Sequence, residues 1–372
     1  MTTKIEMKTN INLRDVYKGN LPWLVDNTIF LTLHGSHAYG TNTPTSDVDV
    51  KGIAIPPSEY FLGFSKNFEQ AELKGKEPDG VIYEIRKFFK LARDCNPNII
   101  EVLHTDESDW VSIHRVGRTI IDNRDLFLSK KAYYTFFGYA RAQLKRINTH
   151  YRWLKNPPQA PLTRTEFGLS ERPSIAPDQL AAAMTDIQKK IETWDVNWDA
   201  IEPSERILMQ ERLSTMLAEL QMTSDTRWMG AAKLLGYEDN FILYVQKERE
   251  YKQKCADWDS YQEWKRSRNP QRAVLEEKFG YDTKHGMHLV RLIRMCREIL
   301  TTGKVVVKRP DREELLAIRD GALPYEKLVE WADSQENELA SVYQSTTALP
   351  KTPNEKAIDA LCEDSIRTFL QL

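Results

Sequence analysis

Leu33-His34-Gly35-Ser36-His37-Ala38-Tyr39-Gly40 and, about ten residues on, Ser46-Asp47-Val48-Asp49-Val50 decide the fold. The first stretch closes an apolar run, TIFLTLHG, that reads as a short strand ending in Gly35-Ser36. Glycine permits a tight turn where a phosphate can approach the backbone, and the serine hydroxyl can donate to it. A turn-rich stretch, TNTPTSD, follows. VDVKGIAIPP then places apolar residues at Val48, Val50, Ile53 and Ile55 and stops at Pro56-Pro57, which reads as a second strand. Two residues apart on a strand, Asp47 and Asp49 project their carboxylates from one face. Adjacent carboxylates repel unless a cation lies between them. Magnesium or manganese, hard ions that share phosphate oxygens as ligands, is the natural filler. Two such ions can activate an attacking hydroxyl and steady a leaving pyrophosphate.

Working outward, GVIYEIRKFFKLARDC starts strand-like and turns helical, with Ile85, Phe88, Phe89 and Ala92 at helical spacing. Asn96-Pro97-Asn98 breaks it, and IIEVLH begins a short helix. Beyond about residue 115 the strand signals almost vanish. Segments 130–155, 178–193, 203–222, 239–268, 284–302, 324–343 and 354–371 read as helices, with Pro203 at a start and Gly303 at a stop. Lys304-Val305-Val306-Val307-Lys308 reads as a small strand. Pro157, Pro158, Pro161, Pro173 and Pro177 mark 156–177 as a long loop. The expected class is α+β: a small mixed-sheet core over residues 1–112 and a larger, mostly helical domain over 113–372.

The 372 residues correspond to roughly two to three domains. A net charge of −2 excludes a charge-driven nucleic-acid coat, though not a local basic groove. The mean hydropathy of −0.55 and the lack of any apolar run near ~18 residues argue against a membrane span. Cys95, Cys255, Cys296 and Cys362 are far apart in sequence, which fits reduced thiols and a cytoplasmic setting better than a disulfide framework or zinc. The polar N-terminus shows no apolar signal core.

A second constellation lies in KHGMHLVRLIR. Lys284, His288 and Arg291 fall at i, i+4 and i+7 and share one helix face, opposite a stripe of Leu289, Leu292, Ile293 and Cys296. Such a face suits a triphosphate or a nucleic-acid backbone; the plainer reading is a solvated charged face, or His288 paired with a core acid. Tyr39 is placed either to stack on a base or to pack its own loop. His285 and His288 lack a third ligand at fitting spacing, so zinc is not expected. Lys76-Glu77-Pro78-Asp79-Gly80 has one residue too many for a Lys-x-Asp-Gly ligase motif, and no P-loop is present.

The pattern apolar-Gly-Ser, about ten residues, then Asp-x-Asp resembles the DNA polymerase β-like nucleotidyltransferase superfamily. The longer wording, GSHAYG with SDVDVKGI, is similar to a bacterial and bacteriophage branch named for association with RNA ligases and RNA repair. YEIRKFFKLARDCNPNIIEVL, YDTKHGMHLVRLIRM and RPDREELLAIRDGALPYEKL look like the same branch, so the resemblance runs over most of the chain. It implies that Gly35 and Ser36 hold nucleotide phosphates and that Asp47 and Asp49 bind two metal ions. It also implies a third acid on a following strand. Glu84, between Tyr83 and Ile85, fits an apolar-acid-apolar strand and is the expected third ligand and catalytic carboxylate, it or a metal-bound hydroxide deprotonating the acceptor hydroxyl; Asp79 is the runner-up. Tyr39, Lys284, His288 and Arg291 complete the expected nucleotide site.

The expected activity is metal-dependent transfer of a nucleoside monophosphate from a nucleoside triphosphate, ATP among them, to an acceptor hydroxyl. By the resemblance the acceptor is an RNA end, with an RNA ligase in the same pathway, in the cytoplasm of the host if the chain is phage-encoded. Two alternatives stand beside it: nucleotidylation of a protein or small-molecule hydroxyl, and a non-catalytic nucleotide-binding module.

Overall fold

The computed structural model describes residues 5–6, 11–73, 78–158, 163–192 and 224–372. The helix expected over 203–222, with its start at Pro203, and the loop residue Pro161 lie outside them. Six strands form one mixed sheet: β1 (Ile5–Glu6), β2 (Thr28–His34), β3 (Asp49–Ala54), β4 (Gln70–Leu73), β5 (Asp79–Glu84) and β6 (Trp110–Ile113), in the order β1-β6-β2-β3-β5-β4. β2 is buried at nearly every position, so both faces of the sheet are covered there and the strand is apolar throughout rather than alternating.

Two pairings set the site. β2 and β3 run antiparallel with His34 opposite Asp49, and β3 and β5 run parallel with Asp49 beside Asp79 and Ala54 beside Glu84. The Gly35–Tyr39 turn of helix, α1, links β2 toward β3 and ends on Gly40 in the left-handed conformation. After β5 come α2 (Ile85–Arg93), α3 (Pro97–Leu103), α4 (Arg115–Asp122) and α5 (Lys131–Lys155). Asn96 caps α3 through its side chain and Pro97 occupies its first turn. Further along lie α6 (Pro177–Glu192), α7 (Ser224–Leu234), α8 (Asp239–Ser267), α9 (Pro270–Phe279), α10 (Thr283–Thr302), α11 (Arg312–Arg319), α12 (Tyr325–Ser345) and α13 (Glu355–Leu370).

The structure divides the chain differently from the expected boundary at 112/113. One compact unit holds Met1–Tyr151 and Pro270–Leu372; the other is Arg152–Asn269. The physical reason is a shared core. Phe30, Ile53, Phe88, Trp110, Phe127 and Phe136 from the first part pack in one cluster with Leu289, Ile293 and Ile299 of α10 and Ile358 of α13. Each fully buried side chain of this kind stabilises by about 1.5–3 kcal/mol, so the C-terminal helices belong with the sheet. The second unit has its own cluster of Leu180, Ile187, Trp228, Ile242 and Val245.

Lys304–Lys308 forms no strand: it pairs with no strand, and Val307 is buried against Ala38 and Tyr39. The backbone N–H of Arg309 donates to the Tyr39 carbonyl at 3.0 Å, so this segment braces α1 from behind. No described helix is long and apolar enough to cross a membrane.

Candidate active site

The site begins where β2 ends. Gly35 has φ +63°, a left-handed conformation that favours glycine. A Cβ built there would lie 2.5 Å from Oδ2 of Asp49, so the Asp49 carboxylate rests against the bare face of Gly35. Ser36 follows in the same turn, partly exposed. The spacing between the Gly-Ser turn and Asp49 thus reflects a direct contact, made possible by the pairing of His34 with Asp49.

Asp47 and Asp49 do not share a strand face as expected. β3 starts at Asp49, and Asp47 stands exposed in the preceding loop. The acid beside Asp49 is Asp79, the first residue of β5, also exposed. Burial raises the pKa of Asp49; Lys51 opposes the rise, Asp47 and Asp79 add to it, and Lys284 opposes it again. Three carboxylates therefore crowd one end of the sheet.

Glu84 is elsewhere. Five residues along β5 from Asp79, at about 3.3 Å per residue, it lies roughly 16 Å away at the other end of the strand, beside Ala54. It is buried and committed: its carboxylate accepts the backbone N–H of Lys87 and the Nε–H of Arg86, both at 2.9 Å, as the N-terminal cap of α2. The strand register thus sets Asp79, not Glu84, beside Asp49. The apolar-acid-apolar pattern around Glu84 marks a strand-to-helix junction with an acid at the cap.

Tyr39 and Arg291 also depart from expectation. Both are buried, at 4% exposure each. The Tyr39 hydroxyl donates to Oε2 of Glu101 at 2.5 Å, and Nη1 of Arg291 donates to Oε1 of the same carboxylate at 2.5 Å. The Arg291 guanidinium lies 3.7 Å from the Tyr39 ring centroid. His34 Nε2 approaches Glu101 at 3.5 Å. Burial would push the Glu101 carboxyl up, but Arg291, His34 and the hydrogen bonds from Arg291 and Tyr39 outweigh it and hold its pKa low. Burial drives the His34 pKa down to about 3, so that ring is neutral. Tyr39 therefore has no face free for a base, and Arg291 is spent on Glu101.

His288 is likewise no cation: burial, then the charges of Arg291 and Lys284, push its pKa well below the usual value. Of the three helical residues, Lys284 differs in its surroundings. It is partly exposed in the first turn of α10, with its pKa lowered by burial and by Arg272 and Arg319, and raised in part by Asp47 and Asp282. Arg294, six residues beyond His288 on the same helix, is paired with Asp311 at 2.6 Å and with Glu314.

Sequence reasoning missed Glu101. For Glu101 a signal existed: a lone acid inside the apolar run Ile99-Ile100-Glu101-Val102-Leu103 must be paired if that helix is buried.

Among the described residues no group of three His, Cys, Asp or Glu side chains is close enough to hold a metal by itself. The acid edge instead offers an open donor set: three carboxylates, with Lys51 drawn off to Asn98 Oδ1 at 3.2 Å. That suits an ion such as magnesium, which keeps waters and takes substrate phosphates as ligands.

Residues 4–156 match the family model described as RlaP, RNA repair pathway DNA polymerase beta family. A relative in Enterobacteria phage T4, an uncharacterized 38.9 kDa protein in the nrdC-mobD intergenic region, is 35% identical over 129 residues. That alignment covers 32% of this chain and 38% of the relative, so the chain spans well under half of that protein's length. The likeness read in 281–295 and 309–328 lies outside the family match. No solved structure matches the chain.

Proposed function

We propose, from the match of residues 4–156 to the RNA repair pathway DNA polymerase beta family, that the chain transfers a nucleoside monophosphate from a nucleoside triphosphate to a hydroxyl at an RNA end. The observation that carries the reading is the contact between Gly35 and the Asp49 carboxylate, with Asp79 in register beside it. Magnesium or manganese, when bound to Asp47, Asp49 and Asp79, would offset their mutual repulsion and neutralise phosphate charge. The Ser36 hydroxyl donates to a phosphate oxygen, and Lys284 faces the polyphosphate charge. The acceptor oxygen bonds to the α-phosphorus and the bond to the bridging oxygen breaks. Pyrophosphate departs with that electron pair, and the hydroxyl proton passes to Asp79, an exposed carboxylate in register with Asp49.

Incubation with each α-labelled nucleoside triphosphate, a divalent ion, and separate RNA, DNA and protein acceptors tests this. Label on RNA supports it. Label on protein alone shifts the reading to protein nucleotidylation, and no label on any acceptor removes it.

The choice of third acid has its own test. Asp79→Asn should lower transfer at least a hundredfold with an unchanged melting temperature. Glu84→Ala should cost about 1–2 kcal/mol of stability, the usual loss for a helix cap, with the rate of the folded fraction kept. The reverse pattern would return Glu84 to the site.

Gly35→Ala should both destabilise and inactivate. A left-handed alanine costs roughly 1–2 kcal/mol, and the Cβ must displace the Asp49 carboxylate. A displacement near 1 Å in a reacting site can cost about a hundredfold in rate. Thermal melting and label transfer read the two effects separately. A full-rate Gly35→Ala enzyme would mean that Asp49 does not act from its observed position.

A further inference from the structure

Three cations gather opposite the acid edge, and two of them, Arg272 and Arg319, have no place in the site described above. Lys284 stands in the first turn of α10, Arg272 on α9 and Arg319 at the end of α11. The first turn of α10 brings them near one another, and Lys284 feels the charge of both arginines. Arg272 Nη1 lies 2.9 Å from His285 Nε2 and 3.4 Å from Asp282 Oδ2, and the Thr283 hydroxyl donates to the Arg319 carbonyl at 2.6 Å. Asp282, the carboxylate inside the cluster, is already engaged. It accepts the His285 backbone N–H at 3.1 Å, and its Oδ2 lies 3.0 Å from His285 Nδ1. Its pKa is held at about 2: burial raises it, and His285 and Arg272 outweigh that. Neither Lys284 nor Arg319 forms an ion pair among the described residues.

Like charges kept together in a partly buried place repel until an anion joins them. The same holds, with the sign reversed, at Asp47, Asp49 and Asp79; the Lys284 charge acts on Asp49, and the Asp47 charge on Lys284. A ligand that satisfies both clusters carries a cation at one end and dense negative charge at the other. Arginine forks and a lysine point charge match phosphate oxygens well. The first turn of α10 adds its own partial positive charge.

We infer that Arg272, Lys284 and Arg319 form a phosphate-binding subsite facing the Asp47, Asp49 and Asp79 edge, for the polyphosphate tail of a nucleotide or the terminal phosphate of an RNA end. The ligand's identity rests on the nucleotidyl-transfer reading; the anion site does not.

The test titrates inorganic tripolyphosphate, without divalent metal, into the full chain by calorimetry. Lys284→Ala and Arg319→Ala should each weaken binding at least tenfold. Arg141→Ala, an exposed cation paired with Glu336, should leave it unchanged. Arg272 is left intact because its loss would also free Asp282 and His285. Equal melting temperatures establish that the variants fold, with Lys284→Gln and Arg319→Gln replacing any alanine that does not. Parallel titrations with ATP and with 5′-phosphorylated and 5′-hydroxyl RNA oligonucleotides separate the two sources. Weakening for ATP assigns the subsite to the nucleotide, and weakening confined to the phosphorylated RNA assigns it to the acceptor. Tripolyphosphate that does not bind the wild type, or binds the variants equally, overturns the subsite. A wild type that binds tripolyphosphate yet labels no acceptor instead overturns the transfer reading alone.

Discussion

Asp49→Asn is expected to lower nucleotidyl transfer by roughly a thousandfold while the fold stays intact or gains stability. Metal-held charge at a reacting phosphate is worth several kcal/mol, and each ~1.4 kcal/mol is a factor of ten in rate. Asparagine keeps the size and the strand geometry of Asp49 but removes the anionic ligand nearest the Gly-Ser turn. The stability sign follows from the raised pKa of Asp49. A carboxyl that holds its proton more tightly when folded makes the native state less stable as the pH rises from the unfolded pKa through the folded one. Above the folded pKa that cost is fully present, and asparagine removes it. The melting temperature should therefore not fall. Label-transfer rates and thermal melting at neutral pH check both halves. Transfer within tenfold of wild type in a folded Asp49→Asn protein would take Asp49 out of the chemistry.

Glu101→Ala is expected to destabilise the unit holding Met1–Tyr151 and Pro270–Leu372 by about 3–5 kcal/mol, the range for breaking a buried ion pair. Glu101 is 1% exposed and bonds both Arg291 and Tyr39. Without it a buried guanidinium and a buried hydroxyl lose their partner together. That is a large share of the about 5–15 kcal/mol by which domains are stable. Urea denaturation should show the loss, and Glu101→Leu combined with Arg291→Met should recover most of it, because an apolar pair leaves no orphaned charge. A loss below about 1 kcal/mol would show that the network is wet and the pairing marginal. The pH dependence follows from the depressed Glu101 pKa. Its contribution is present above the ordinary glutamate pKa and is lost as the pH falls through the depressed value. The same network explains why Arg291 holds α10 against α3 and α1 instead of reaching a phosphate.

Local patterns carried the N-terminal strand pair, the Gly35-Ser36 turn and most of the long helices into the sequence reading. They depend on neighbours: glycine in a turn, apolar spacing along a helix, prolines closing a strand. The long helices at Lys131–Lys155, Asp239–Ser267, Thr283–Thr302, Tyr325–Ser345 and Glu355–Leu370 begin and end within two residues of their expected bounds. The family likeness was legible in 33–53 for the same reason, since Gly35, Ser36, Asp47 and Asp49 are close in sequence. Short elements were not. β4 and β6 are four residues each, too brief for periodicity to show, and their strand character comes from pairing with β5 and β2.

What the sequence by itself determined is therefore the Gly-Ser turn with its two nearby acids, the mixed character of the fold and the chemistry those acids suit. Tertiary structure alone decided which acid stands beside Asp49, how the chain divides into units and the surroundings of each charge on α10. Parallel register puts Asp79, not Glu84, beside Asp49, and register depends on which strands meet. The C-terminal helices join the sheet because their apolar stripes fill its core, across more than a hundred intervening residues. On α10, i, i+4, i+7 spacing showed that Lys284, His288 and Arg291 share a face, but a shared face does not say what lies opposite it. Glu101 lies opposite Arg291 and neutralises it, burial keeps His288 uncharged, and Lys284 faces the acids. Electrostatic energy depends on distance and on exclusion of water, and the folded chain alone sets both.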